Sequence, residues 1–161
     1  MASDGCFLGN QIRFADLLPI ALVYSRLKTC IGKTVPNPGH EQERNRGAGL
    51  HKLVQTTLGG AAYSHSGQFP DVVEQLVEVK LQTAPTVDLG LVTPDDTGPV
   101  AAVPQVRHCD VRYAVFYGHI DGDNVVLDYL VVSTGESFFK YFRRFEGKQT
   151  NEKYQIHLPP D

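Results

Sequence analysis

Paired cysteines, long apolar runs and an excess of positive charge are all missing from this sequence of 161 residues. It has three cysteines, Cys6, Cys30 and Cys109, widely spaced and without a Cys-x-x-Cys pair. That argues against a disulfide framework and a structural zinc site, and makes a reducing cytoplasm the expected location. No apolar run approaches the ~20 residues of a bilayer-spanning helix, so no membrane association is expected. The N-terminus lacks the charged-then-apolar order of a signal peptide. The net charge is −3, on the opposite side of neutral from most nucleic-acid binders. Two familiar motifs fail on one residue each, and a third on most of its length. Gly32-Lys33-Thr34 would need a glycine where Leu27 stands to close a phosphate-binding loop, and His40-Glu41 would need a histidine at Arg44 to bind zinc. Asp121-Gly122-Asp123-Asn124 has none of the remaining positions of a calcium loop and reads as a hairpin turn. There is no internal repeat and no low-complexity tract.

What is present is enough chain for one domain with a real core, and a mixture of helical and strand patterns. Residues from about Ala15 to Ile31 form an apolar stretch predicted as a helix, with Pro19 in its first turn. Val35-Pro36-Asn37-Pro38-Gly39 reads as a linker. A second helix is expected from about His40 to Leu58, stopped by Gly59-Gly60, with Leu50, Leu53, Val54 and Thr57 on its inner face. Glu43 falls on that same face, where an acid needs a reason; a helix-start glutamate favoured by the macrodipole is the structural alternative. Ala61–His65 is a short predicted strand, and Thr93–Pro104, with three prolines, a surface loop. Val111–Ile120 and Val125–Val132 are predicted as a strand hairpin. His108, Asp110 and Arg112 at its mouth could reach outward or toward a neighbouring loop, while His119 reads as an ordinary strand histidine. Ser133 with Glu136 has the spacing of a capping box for a last helix reaching about Glu146. That helix sets Phe138, Phe142 and Phe145 on one face and Lys140, Arg143 and Arg144 on the other. Tyr154–Leu158 is a final short strand.

The densest chemistry lies between Gln68 and Gln82. Side chains alternate along a strand, so Val77, Val79 and Leu81 share an apolar face and Glu78, Lys80 and Gln82 share the other. An acid and a lysine two residues apart among valines are costly to bury unless they act together. Asp71 stands upstream, after Pro70, whose missing N–H suits a strand start or edge, so the segment carrying Asp71 can run in beside Glu78. From Gly67 to Val100 the only cation is Lys80, against six acids (Asp71, Glu74, Glu78, Asp88, Asp95 and Asp96), with basic segments on either side.

Pro70-Asp71, a gap, then Glu78-x-Lys80 resembles the PD-(D/E)xK nuclease superfamily, which includes many type II restriction endonucleases. The resemblance covers roughly residues 38–158 and is strict at four positions. It implies an α/β fold with a restriction-endonuclease-like core, a central mixed β-sheet flanked by helices. The chain would then be one nuclease-like domain over residues 1–161, with a helical extension (1–36) ahead of the catalytic core (38–158). It implies a Mg²⁺-dependent DNA endonuclease, with Mn²⁺ as a substitute. Asp71 and Glu78 would hold the metal, with Glu43 from the first core helix as a third carboxylate, and Lys80 would position the attacking water. Gln82, as in some relatives, would contact the backbone, and Lys140, Arg143, Arg144 and Lys148 would hold phosphates. The partner would be double-stranded DNA, bound by a homodimer. Sequence readout would come from Thr93–Arg107, the N-terminal helix, or a separate specificity domain or subunit. Two other classes stay open: a repair or junction-processing nuclease of the same fold, and a non-catalytic DNA-binding or interaction module.

Overall fold

The computed structural model describes residues 7–8, 12–37, 43–59, 69–84, 86–90, 92–142 and 154–157. In chain order the elements are β1 (Phe7–Leu8), β2 (Ile12–Arg13), α1 (Ile20–Leu27), β3 (Thr34–Pro36), α2 (Glu43–Thr57), β4 (Val77–Gln82), β5 (Thr86–Gly90), β6 (Pro99–Val100), β7 (Val103–Arg107), β8 (Arg112–Asp121), β9 (Asn124–Thr134), α3 (Phe138–Tyr141) and β10 (Tyr154–His157). The fold is mixed α/β. Its centre is a four-stranded mixed sheet in the order β3-β9-β8-β4, joined by a small β6–β7 hairpin and short helices.

The predicted hairpin supplies the two long central strands. β8 and β9 pair antiparallel from Asp121–Asn124 back to Arg112–Thr134, and Gly122 takes the positive φ of 59° that the tight loop demands. β-branched and aromatic residues serve β8, whose first half is buried (Tyr113, Val115, Phe116), while Val and Leu dominate the more exposed β9, as pleated surfaces packed on a core favour. β4 joins the free side of β8 in parallel, setting Glu78 opposite Tyr113, Lys80 opposite Val115 and Gln82 opposite Tyr117. The alternation along β4 therefore divides between two cores. Val77 and Val79 pack with Ala114, Phe116, Val125 and Leu127 beneath Val23 and Leu27 of α1 and Leu50 and Val54 of α2. On the other face Tyr113 and Val115 pack with Val73, Leu76, Val100, Val103, Val106, Phe138 and Phe142.

Several expected elements differ. Val35 and Pro36 are not linker; they lie in β3, an edge strand on β9, where a proline without an N–H is tolerated. The first helix is shorter than Ala15–Ile31. Pro19 sits before it in an extended conformation (ψ 146°), and residues 28–30 finish as a 3-10 turn. It is also half solvent-facing, with Ile20, Leu22 and Tyr24 exposed. Thr93–Pro104 is not wholly a surface loop, because β6 forms and β7 begins within it, burying Val100 and Val103. Thr86–Gly90, to which no element was assigned from the sequence, is β5, paired antiparallel with β10. Ser133 does not cap the last helix: β9 carries Ser133 and Thr134 into the sheet opposite Tyr113 and Arg112. Ser137 becomes the N-cap, without a side-chain cap bond, and α3 ends at Tyr141. The predicted strand Ala61–His65 and the start of the second helix before Glu43 lie outside the described residues.

Candidate active site

The site is built by a small backbone loop. Val72 and Val77 exchange both main-chain hydrogen bonds (2.8 and 3.1 Å), closing residues 73–76 into a 3-10 turn that ends on Leu76 at φ 50°. The pairing is antiparallel, so the next residues outward, Asp71 and Glu78, face each other on one side. This register is the physical content of their spacing. The next ladder pair would join position 70 to Val79, and Pro70 has no N–H to contribute. The Asp71 side chain takes over instead: its Oδ2 accepts the Val79 N–H at 2.9 Å. In return the Asp71 N–H donates to Glu78 Oε2 at 3.2 Å. Each carboxylate is thus fixed by backbone belonging to the other's end of the loop.

Lys80 follows on the same strand face, its Nζ 3.6 Å from Glu78 Oε1. The sequence-predicted trio Asp71, Glu78 and Lys80 is therefore brought together. Glu78 is 7% exposed. Burial, and next the charge of Asp71, push its carboxyl up to about 8, while Lys80 pulls the other way. Tyr113, opposite Glu78, has its phenol raised by burial and by the Glu78 charge. Two hard carboxylates facing each other, one of them uncomfortable when ionised, form a donor set that a divalent cation would relieve. Among the described residues no third acid, histidine or cysteine completes a metal cluster with them. Mg²⁺, which keeps several waters and takes phosphate oxygens, suits such a sparse set.

Sequence reasoning looked to Glu43 on α2 and did not single out His51 or Gln55 of the same helix. His51 Nε2 lies 3.4 Å from Asp71 Oδ2, and Gln55, one turn on, donates to Glu74 Oε1 at 3.0 Å. The pair sits four residues apart beside the Leu50/Val54 stripe. That spacing was visible, but what faced it was not. Glu43, expected here, opens the same helix roughly 12 Å up its axis from His51, at 1.5 Å per residue. Its side chain lies outside the described part of the structure.

The remaining candidates are scattered. Gln82 ends the Glu78–Lys80 face of β4, half-buried. Lys140 is exposed on α3, and Arg143, Arg144 and Lys148 lie outside the described residues. Of the three residues at the hairpin mouth, none is left pointing freely outward. His108 stacks on Phe69 (centroids 5.2 Å apart), Asp110 is chelated by Arg107 at 3.0 Å, and Arg112 is buried among backbone carbonyls. Exposed His119 bonds half-buried Asp128 at 2.7 Å, as a surface strand histidine does. An open cavity of about 390 Å³ between Ile20, Tyr24, Val132, Thr134 and Tyr141 includes none of the Asp71–Glu78–Lys80 set. No protein-family model, curated protein or solved structure matches this chain.

Proposed function

We propose that the chain is a divalent-cation-dependent phosphodiesterase acting on DNA, with a PD-(D/E)xK site and a restriction-endonuclease-like core. Within that class the reading adopted is a type II restriction endonuclease or its catalytic domain, working on double-stranded DNA as a homodimer with Mg²⁺, or Mn²⁺ in its place. One observation carries it: the Val72–Val77 register that sets Asp71 opposite Glu78, with Lys80 on the same face 3.6 Å away.

Asp71 and Glu78 are the residues that would hold the cation. Bound there, it would polarise the scissile phosphate and acidify the attacking water. Lys80, two residues beyond Glu78 and partly exposed, directs its ammonium hydrogens at that water and at the phosphoryl oxygens as charge builds on them. Water oxygen bonds to phosphorus as the bond to the 3′ oxygen breaks, leaving a 5′-phosphate and a 3′-hydroxyl. Lys140, with Arg143, Arg144 and Lys148, is assigned to phosphate contact, and Gln82 to the substrate backbone beside the site. Glu43 is assigned as a third carboxylate of the site, directly or through water. Base readout is assigned to a partner domain or subunit, or to the exposed parts of residues 93–107.

Incubating the purified chain with supercoiled DNA in Mg²⁺, in EDTA and as Lys80→Ala tests the reading. Discrete fragments that need Mg²⁺, and a rate at least ~100-fold lower in Lys80→Ala, are expected. Nicking or smearing with the same dependence would move the assignment to a structure-selective processing nuclease. Binding without cleavage in Mg²⁺ or Mn²⁺ would leave a non-catalytic module.

A further inference from the structure

The loop that sets Asp71 against Glu78 is itself tied down from outside the site. Gln75, near its tip, accepts the Leu18 N–H on Oε1 at 2.9 Å and donates from Nε2 to the Asp16 carbonyl at 3.0 Å. Arg112, the first residue of β8 and 8% exposed, closes the same knot. Its Nε donates to the Gln75 carbonyl at 3.1 Å and its Nη2 to that carbonyl and to Gln75 Oε1, while Nη1 reaches the Leu18 carbonyl. All these acceptors are neutral oxygens of Leu18 and Gln75. With no carboxylate on it among the described residues, a buried guanidinium is an expensive way to hold a loop unless the loop's position matters. The Arg112 N–H adds a main-chain bond to the Leu76 carbonyl at 2.8 Å. Leu76 itself sits in the left-handed region, which a branched side chain occupies only when its surroundings over-determine it.

We propose that Gln75 and Arg112 are positioning residues of the site: they brace the 72–77 loop against residues 16–18, and that brace holds Asp71 and Glu78 at the separation a divalent cation needs. The proposal rests on the nuclease reading for its cation, but the brace can be tested without one. The brace touches neither carboxylate. It acts through the loop backbone, whose two ends are the site. The segment leading into α1 therefore belongs to the catalytic architecture although it contributes no side chain to it.

The test uses the full chain as Gln75→Ala, a half-buried position whose loss leaves both cores intact. Amide hydrogen exchange is followed by NMR in metal-free buffer. The Asp71 and Val79 amides, bonded to the two carboxylates, are expected to exchange about tenfold faster than in the wild type, with the β8–β9 amides unchanged. Calorimetric titration with Mn²⁺ is expected to give a Kd weakened by about tenfold, the usual scale for loss of an outer partner. Gln75→Glu keeps the acceptor for Leu18 and Arg112 but loses the donor to the Asp16 carbonyl, and is expected to fall between the wild type and Gln75→Ala in both readouts. Unchanged exchange at Asp71 and Val79 in a folded Gln75→Ala protein overturns the proposal. So does a uniform acceleration that includes β8 and β9, which would make Gln75 a general stabiliser. Faster exchange confined to Asp71 and Val79, in a protein whose wild type binds no Mn²⁺, supports the brace and removes the nuclease reading instead.

Discussion

Glu78 is where burial and chemistry conflict most. It faces Asp71 across the loop, Lys80 along its own strand and Tyr113 on β8, with His51 reaching Asp71 from α2. Its carboxyl is raised from 4.5 to about 8, so the folded chain holds its proton where the unfolded chain has released it. The stabilisation this gives is complete below about pH 4.5 and is lost as the pH rises toward 8. Urea denaturation in EDTA should therefore show the Glu78→Gln variant gaining on the wild type between pH 5 and 8. The difference should be on the order of a few kcal/mol, since each pKa unit is worth about 1.4 kcal/mol. A pH-independent difference would mean that Glu78 ionises freely. At this scale much of the site was legible. An acid between Val77 and Val79 announces itself by its cost, and Pro70 marks where a ladder must stop. His51 was not legible, because a histidine at the border of an apolar stripe is defined only by what packs opposite.

Elements formed where the residues could find a partner, and local signals yielded wherever a neighbour offered more hydrogen bonds. The clearest case is the end of β9. Ser133 and Glu136 have a helix-start spacing, yet pairing with Tyr113 and Arg112 holds Ser133 and Thr134 as strand. The turn is then made at Gly135, whose N–H donates to the Val111 carbonyl at 2.8 Å. A Cβ on Gly135 would stand 2.8 Å from the His108 carbonyl oxygen and 2.9 Å from Cys109 Cα, backbone that cannot swing aside. Gly135→Ala is expected to cost about 1–3 kcal/mol, the range for overpacking a tight core, read as a lower urea midpoint. An unchanged midpoint would show that the β9–α3 corner can relax. Edge strand β3 follows the same logic. Val35 and Pro36 look like linker alone and become strand because β9 presents an open edge. A Pro-rich stretch such as 93–104 folds back as a hairpin for its valines, not its prolines, since Val100 and Val103 are wanted in the core.

Across the whole molecule, the two cores meet at one sheet, and the candidate site lies at the outer edge of that sheet, on β4. A cation bound only by the folded chain should stabilise it as a whole, by about 2.7 kcal/mol at a hundredfold excess over Kd. Thermal scans in Mg²⁺ against EDTA should therefore show a raised Tm in the wild type and none in Asp71→Asn; an equal rise in both would mean that the cation binds elsewhere. The sequence by itself determined the α/β class, the β8–β9 hairpin, the body and end of α2, and the placing of Glu78 and Lys80 together on one face of β4. These follow from short-range periodicity and from glycines and prolines whose dihedral limits act locally. Only the tertiary structure decided that Asp71 faces Glu78 through the Val72–Val77 register, that His51 approaches Asp71, and that buried Arg112 and Gln75 tie the site to residues 16–18. Those contacts join positions up to 94 residues apart. Burial and hydrogen-bond satisfaction at that range depend on which surfaces meet, and local pattern carries no record of it.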